Sequence, residues 1–171
     1  MTKHKRTMRI VAVAPSSRGF GFAVMEENAL IDWGTCSVGT TDKNAQSLEK
    51  VEPLLETYQP NQLVLFNTEA LGSRRAQRIR LLTQEIVDLG KTRKISTKLY
   101  ARGQVAKAIV GNQAARKYEI AQTLAEVFPE GLKHRLPKKR RAWESEDPRM
   151  HIFDAVALAL TARIRGRRKS P

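Results

Sequence analysis

A histidine and an aspartate stand three residues apart near the end of the chain, in the segment His151-Ile-Phe-Asp154. The apolar residues around them predict a buried helix, and a spacing of three places the two polar side chains on one helix face. A carboxylate without a partner is costly to bury, so we expect Asp154 to point into a polar cleft. His151 could serve a metal site or transfer protons, or it could simply be a polar residue at a helix N-terminus.

Three acidic residues precede this helix, at positions 144, 146 and 147. Negative charge near a helix N-terminus is favoured by the helix dipole. We therefore predict that these carboxylates stabilise the start of the helix, with a role in a catalytic site as the less favoured alternative.

Basic residues form two clusters suited to contact with phosphate groups. One lies where the second predicted helix begins, and the other lies in a Pro-containing segment that ends at Trp143, whose ring could stack on a base. Solvated loop charge is the alternative for the second cluster. The clusters consist of Arg74, Arg75, Arg78 and Arg80, and of Lys133, Arg135, Lys138, Lys139, Arg140 and Arg141.

The overall charge favours a polyanionic partner. Lys and Arg number 31 against 17 Asp and Glu, which gives a formal net charge of +14. Nucleic acid is the preferred partner and a membrane is not, since no apolar run approaches the ~20 residues needed to span a bilayer. The single cysteine, Cys36, excludes an internal disulfide and a cysteine-built zinc site. Without an apolar signal core in residues 1–9, we expect a cytoplasmic, nucleoid-associated protein; the basic start also fits an organelle matrix.

The order of hydrophobic patterns predicts the elements that must position these residues. Three successive strands come first, separated by turns at Pro15–Arg18 and Glu26–Asn28, and helices then alternate with strands. Gly90 is expected to end the second helix. Strands are predicted at Arg9–Val13, Gly19–Met25, Leu30–Val38, Gln62–Phe66 and Ile95–Tyr100, and helices at Asn44–Tyr58, Arg74–Leu89, Arg102–Val110, Ala115–Phe128 and Ile152–Arg163.

This order is typical of an α/β fold of the RNase H-like class, with a five-stranded mixed sheet (three antiparallel strands, then parallel ones) and helices on both faces. The length of 171 residues fits one domain. We predict a single domain over residues 9–164, a basic N-terminal arm over 1–8 and a basic C-terminal tail over 165–171.

Three blocks of the sequence resemble the RuvC-type Holliday-junction resolvases and related RuvC-like proteins. The first is the strand-turn-strand Val13–Gly21 (VAPSSRGFG). The second is Tyr100–Gly111 (YARGQVAKAIVG), followed by Arg116 and Lys117, and the third is His151–Ala155 (HIFDA). The resemblance implies the RNase H-like fold, binding of branched DNA by a homodimer, and Mg²⁺-dependent cleavage by two metal ions.

The resemblance also implies a metal-binding set: an Asp on strand one, a Glu at the end of strand four, and the His-x-x-Asp pair. Ala14 stands at the position of the first Asp. Phe66 stands at the position of the Glu when the strand is aligned on residues 72–75, although Glu69 could replace it if the strand is longer. Any bound metal would then depend on Asp154 and Glu69, and Asp154 alone carries too little charge to hold two Mg²⁺ ions.

We therefore predict a RuvC-like protein that binds branched or structured DNA and is impaired in hydrolysis. Affinity mainly through phosphates should fall steeply with salt. The predicted phosphate contacts are Arg74, Arg75, Arg78, Arg102, Lys107, Lys117, Lys138, Lys139, Arg140 and Arg141.

Other interpretations stay open. The chain could be an active Mg²⁺-dependent crossover-junction endonuclease that uses Glu69, His151 and Asp154, or an engineered inactive form of one. Phe66 favours natural loss of the carboxylate over an engineered substitution, because a designer removing a Glu would choose Ala or Gln. A third hypothesis is a non-catalytic structural component of a ribonucleoprotein or replication assembly, which would bind RNA without preferring junctions.

Overall fold

A five-stranded mixed sheet in the order β3-β2-β1-β4-β5 forms the centre of the fold. The computed structural model describes residues 7–70 and 75–168, without the side chain of Arg168. The strands are β1 (Arg9–Ser16), β2 (Gly19–Glu26), β3 (Ala29–Ser37), β4 (Gln62–Phe66) and β5 (Ser96–Tyr100). The helices are α1 (Lys43–Tyr58), α2 (Gln77–Thr92), α3 (Arg102–Val110), α4 (Lys117–Val127), α5 (Pro129–Leu132), which a short 3-10 turn follows at Lys133–Arg135, and α6 (Met150–Arg168).

The sheet combines an antiparallel meander with two parallel strands. β2 pairs antiparallel with both β1 and β3, whereas β4 lies parallel to β1 and to β5. The predicted RNase H-like α/β architecture is confirmed.

Both faces of β1 are buried, because helices cover the sheet on each side. Ala12 and Ala14 point into a core shared with α6, α3 and α4. Val11 and Val13 point into the opposite core, which α1 and α2 complete. Ala14, where the resemblance implies an Asp, therefore lies on the face that α6 covers.

Several predicted boundaries are wrong. β1 continues through Pro15 and Ser16, so the first turn contains only residues 17 and 18. α2 begins at Gln77 and passes through Gly90 to end at Thr92. A Cβ on Gly90 would lie 2.9 Å from a methyl group of Leu63, so this glycine allows close packing of α2 on the sheet instead of ending the helix. α6 continues to Arg168, through the first four residues of the predicted tail.

Some predicted features lie outside the described residues. These are most of the basic arm (residues 1–6), Arg74 together with the rest of segment 71–74, and residues 169–171 of the tail. Within the described residues, no helix combines the length and the apolar character that a membrane span requires.

Candidate functional site

The close approach of α6 to β2 brings the His-x-x-Asp pair to the sheet. Gly21 on β2 pairs directly with Ala14 on β1. A Cβ built on Gly21 would lie 2.1 Å from the carbonyl oxygen of His151, so only glycine permits this contact. The first turn of α6 therefore lies over the end of β1 that carries Ala14.

Asp154 is a buried carboxylate with two basic partners. It is only 6% exposed, and its Oδ2 lies 3.0 Å from Nζ of Lys117, at the start of α4. Its Oδ1 lies 3.5 Å from a guanidinium nitrogen of Arg102, the first residue of α3. Burial raises the pKa of Asp154, but His151, Lys117 and Arg102 outweigh burial and hold this pKa well below its usual range. The carboxylate of Asp154 is thus ionised, and its negative charge is compensated by the neighbouring cations of Lys117 and Arg102.

Lys117 joins Asp154 to a second carboxylate. Its ammonium donates to Oε1 of Glu146 as well as lying next to Asp154. His151 Nδ1 lies 3.8 Å from Glu146 Oε1 and 3.9 Å from Asp154 Oδ2, both longer than a hydrogen bond. Glu146, predicted mainly to stabilise the helix dipole, is therefore part of the site.

Phe66 ends β4 beside two guanidinium groups. The side chain is 6% exposed, and the central carbon of Arg102 lies 4.4 Å from the ring centroid, close enough for a cation–π contact. The corresponding carbon of Arg75 lies 6.0 Å from the same centroid. The pKa of the Arg75 guanidinium is lowered first by burial and then by the charge of Arg102, so the positive charges of this site repel one another.

A pocket of about 350 Å³ opens at this place. Phe66 and Phe153 belong to its apolar wall, and Arg102, Lys117 and Asp154 are its charged residues. The end of β4 where Mg²⁺ ligands are expected is therefore predominantly basic.

Glu69 does not join this group. β4 ends at Phe66, where the N–H of Asn67 donates to the carbonyl of Tyr100. The side-chain oxygen of Asn67 then accepts the N–H of Glu69 at 3.0 Å, which forms a local turn. Glu69 is exposed in that turn and lies outside the cluster of Glu146, His151 and Asp154.

The other predicted phosphate contacts divide into structural and exposed residues. Arg78 donates to the carbonyl of Ser16 and to Oδ1 of Asn44, both at 3.0 Å, so it ties α2 to β1 and α1. Lys107 is exposed on α3. The remaining four are exposed in the loop before α6, namely Lys138, Lys139, Arg140 and Arg141.

A basic groove of about 780 Å³ runs next to this loop. Lys138, Lys139 and Arg140 line it, together with Arg18 and Arg116, which were not among the predicted contacts. Lys117 lines both the groove and the pocket at Phe66. The groove and the candidate site therefore meet at Lys117 and at its ion-pair partner Glu146, which also lines the groove.

The residues do not fit a pair of Mg²⁺ ions. Mg²⁺ requires oxygen ligands in near-octahedral geometry, and neither Ala14 nor Phe66 has an oxygen in its side chain. Ligand atoms of Glu146, His151 and Asp154 lie within 4.8 Å of one another, but the ammonium of Lys117 contacts both carboxylates. No catalytic step through a metal ion follows from this arrangement.

The sheet order and the helices on both faces define an RNase H-like α/β fold. Among solved structures it is similar to RuvC from Thermus thermophilus, with a TM-score of 0.69 and 16% identity over 94% of this chain and 96% of that chain. The same values apply to that RuvC in complex with a Holliday junction substrate. The yeast mitochondrial Holliday junction resolvase Ydc2 gives a TM-score of 0.58 at 12% identity, over 95% of this chain and 82% of that chain.

No protein-family model and no curated protein matches the sequence. The structural similarity nevertheless confirms the predicted RuvC-like RNase H fold.

Proposed function

We propose that this chain is a RuvC-like nucleic-acid-binding protein that binds branched or structured DNA and does not hydrolyse it. One observation carries the proposal: Asp154 is paired with Lys117 and Arg102. The resemblance would place two further carboxylates at positions 14 and 66, where the chain has Ala and Phe. The acidic residue that remains is thus held by the protein's own cations.

The surface supports binding to nucleic acid. The chain has a formal net charge of +14, and the basic groove opens onto the candidate site through Lys117. Phosphate contacts by lysine and arginine supply most of the sequence-independent affinity for DNA. The fold similarity to a RuvC bound to a Holliday junction makes a four-way junction the first ligand to test.

The site does not support two-metal hydrolysis. In such sites the metal ions generate the nucleophile and stabilise the leaving oxygen. Here Phe66 and its two neighbouring arginines supply no metal ligand.

We further propose a homodimer associated with the nucleoid, with the organelle matrix as the alternative location.

The test combines binding and cleavage on one set of substrates. Four-way junction, linear duplex, single-stranded DNA and structured RNA are titrated by fluorescence anisotropy at several salt concentrations, then incubated with Mg²⁺ or Mn²⁺. We expect tightest binding to the junction, a steep salt dependence and intact strands. A flat salt response would contradict phosphate-mediated binding.

Other outcomes would favour the alternative functions. Cleavage by the unaltered chain that is lost in Glu69→Gln or Asp154→Asn would show an active endonuclease. Equal or tighter binding to RNA, without preference for junctions, would favour the structural component of a ribonucleoprotein. Sedimentation with and without junction DNA tests the homodimer.

A further inference from the structure

We infer that Arg75, Arg102 and Lys117 form a metal-independent binding site for one phosphodiester group of the nucleic acid, at the end of β4. The inference rests on the proposed function, because the phosphodiester belongs to the bound strand. It assigns to protein cations the phosphate contact for which this fold family uses metal ions.

The charges of the described residues match such a ligand. The charged residues that line the pocket are Arg102, Lys117 and Asp154, which together carry one net positive charge. A phosphodiester carries one negative charge, so it would leave the pocket neutral.

The donors needed for a phosphate are available. Arg102 is 47% exposed in its side chain. Within residues 7–70 and 75–168 it forms one ion pair, at 3.5 Å, which leaves most of its five N–H groups for a ligand. Among the described residues, no carboxylate lies within ion-pair distance of Arg75. Lys117 directs two contacts at Glu146 and Asp154, which leaves one of its three N–H groups.

The arrangement of the two arginines favours an anion between or beside them. Both guanidinium groups face the ring of Phe66, at 4.4 and 6.0 Å from its centroid. The pKa of Arg75 is lowered by its own burial and then by repulsion from Arg102. An anion would relieve this repulsion. The apolar wall of Phe66 and Phe153 excludes water on one side, which strengthens charge-assisted hydrogen bonds.

The position of the pocket also suits a continuous nucleic-acid strand. Lys117 lies at the junction of this pocket and the basic groove that contains Lys138 and Arg140. A backbone lying in the groove can thus place one phosphate in the pocket while its neighbours contact the groove.

The test compares the double variant Arg75→Gln/Arg102→Gln with Lys91→Gln/Lys94→Gln. The control removes two exposed charges at the opposite end of α2. Junction affinity is measured by anisotropy over a salt series, in EDTA and in Mg²⁺ at matched ionic strength. We expect the affinity of the site variant to fall about tenfold or more and its salt slope to decrease by about 0.9, the value for one neutralised phosphate. The control should stay near the unaltered chain, whose affinity should not change with EDTA.

Each contrary result has a distinct meaning. The inference is overturned if the affinity and salt slope of the site variant equal those of the control. It is also overturned if EDTA abolishes binding by the unaltered chain. Failure of the unaltered chain to bind any nucleic acid would overturn the proposed function itself. If the double variant does not fold, Arg102→Gln alone decides, because that side chain is 47% exposed.

Discussion

The ammonium of Lys117 lies 3.0 Å from the carboxylate of Asp154, and the two residues come from different helices that meet at the end of the sheet. The carboxylate is 6% exposed, so most of the water that would solvate it is absent. Removing Lys117 would leave the buried carboxylate of Asp154 with Arg102, at 3.5 Å, as its remaining cationic ion-pair partner among the described lysines and arginines.

Replacing Lys117 by Met should therefore destabilise the protein. Breaking a fully buried ion pair typically costs about 3–5 kcal/mol. The loss here should be smaller, because the Lys117 side chain is 30% exposed and Arg102 still lies next to Asp154. The double variant Lys117→Met/Asp154→Asn should recover much of the loss, because it removes both charges. Urea unfolding of the single and double variants gives the coupling energy.

Lys107→Met is the matched control, since Lys107 is exposed on α3, and it should change the free energy of unfolding little. Equal stability of Lys117→Met and Lys107→Met would show that the pair contributes nothing.

The contribution of Asp154 to stability should also depend on pH. Its pKa in the folded protein is held well below the value of ~4 expected in the unfolded chain. The stabilisation is therefore fully present above pH ~4 and is lost as the pH falls towards the folded-state pKa. Urea unfolding of the unaltered chain and Asp154→Asn over a pH series should show a stability difference that is constant near neutrality and shrinks in acid. If the stability difference instead grew on acidification, the pKa of Asp154 would be raised, not lowered, in the folded protein.

Introducing a carboxylate at position 14 alone should not produce nuclease activity. Ala14→Asp places a charge at a side chain that is 1% exposed, with Phe66 still supplying no oxygen ligand. We expect this variant to be less stable and inactive on junctions with Mg²⁺. Ala14→Ser is the control for size and polarity without charge.

The double variant Ala14→Asp/Phe66→Glu supplies carboxylates at both positions where the resemblance implies them. Mg²⁺ should raise the melting temperature of this double variant and leave that of the unaltered chain unchanged. Strand cleavage by Ala14→Asp alone would instead mean that the rest of the catalytic site is intact.

The architecture could be predicted because its signals are local. Apolar residues in continuous runs marked β1 and β4, and helical spacing marked α3, whose bounds agree with the prediction. Ala14 and Phe66 were visible as apolar residues at positions where the resemblance calls for acids. Glu69 carried a local signal too, because Asn67 two residues earlier favours a turn, and Glu69 is exposed in that turn.

The contacts within the site could not be predicted in the same way. Lys117, Glu146 and Asp154 meet only after three segments pack together, and no spacing in the sequence encodes that meeting. Gly90 shows the same limit: a glycine near a helix end favours termination, but its packing against Leu63 decides its role.

Gly21 provides a test of how the sheet positions the site. Gly21→Ala would place a Cβ 2.1 Å from the carbonyl oxygen of His151, so α6 must move away from β2 or the strand must distort. Overpacking of this kind costs about 1–3 kcal/mol or more. The displacement should also separate Asp154 from Lys117 and Arg102, so we expect lower stability together with weaker junction binding.

Gly39→Ala is the matched control, because the nearest atoms to its added Cβ belong to the flexible side chain of Gln46 at 3.4 Å. Urea unfolding and anisotropy on both variants separate the two effects. If Gly21→Ala left the stability unchanged, α6 would have space for the added methyl group above β2. The close contact between Gly21 and His151 would then not be what positions Asp154.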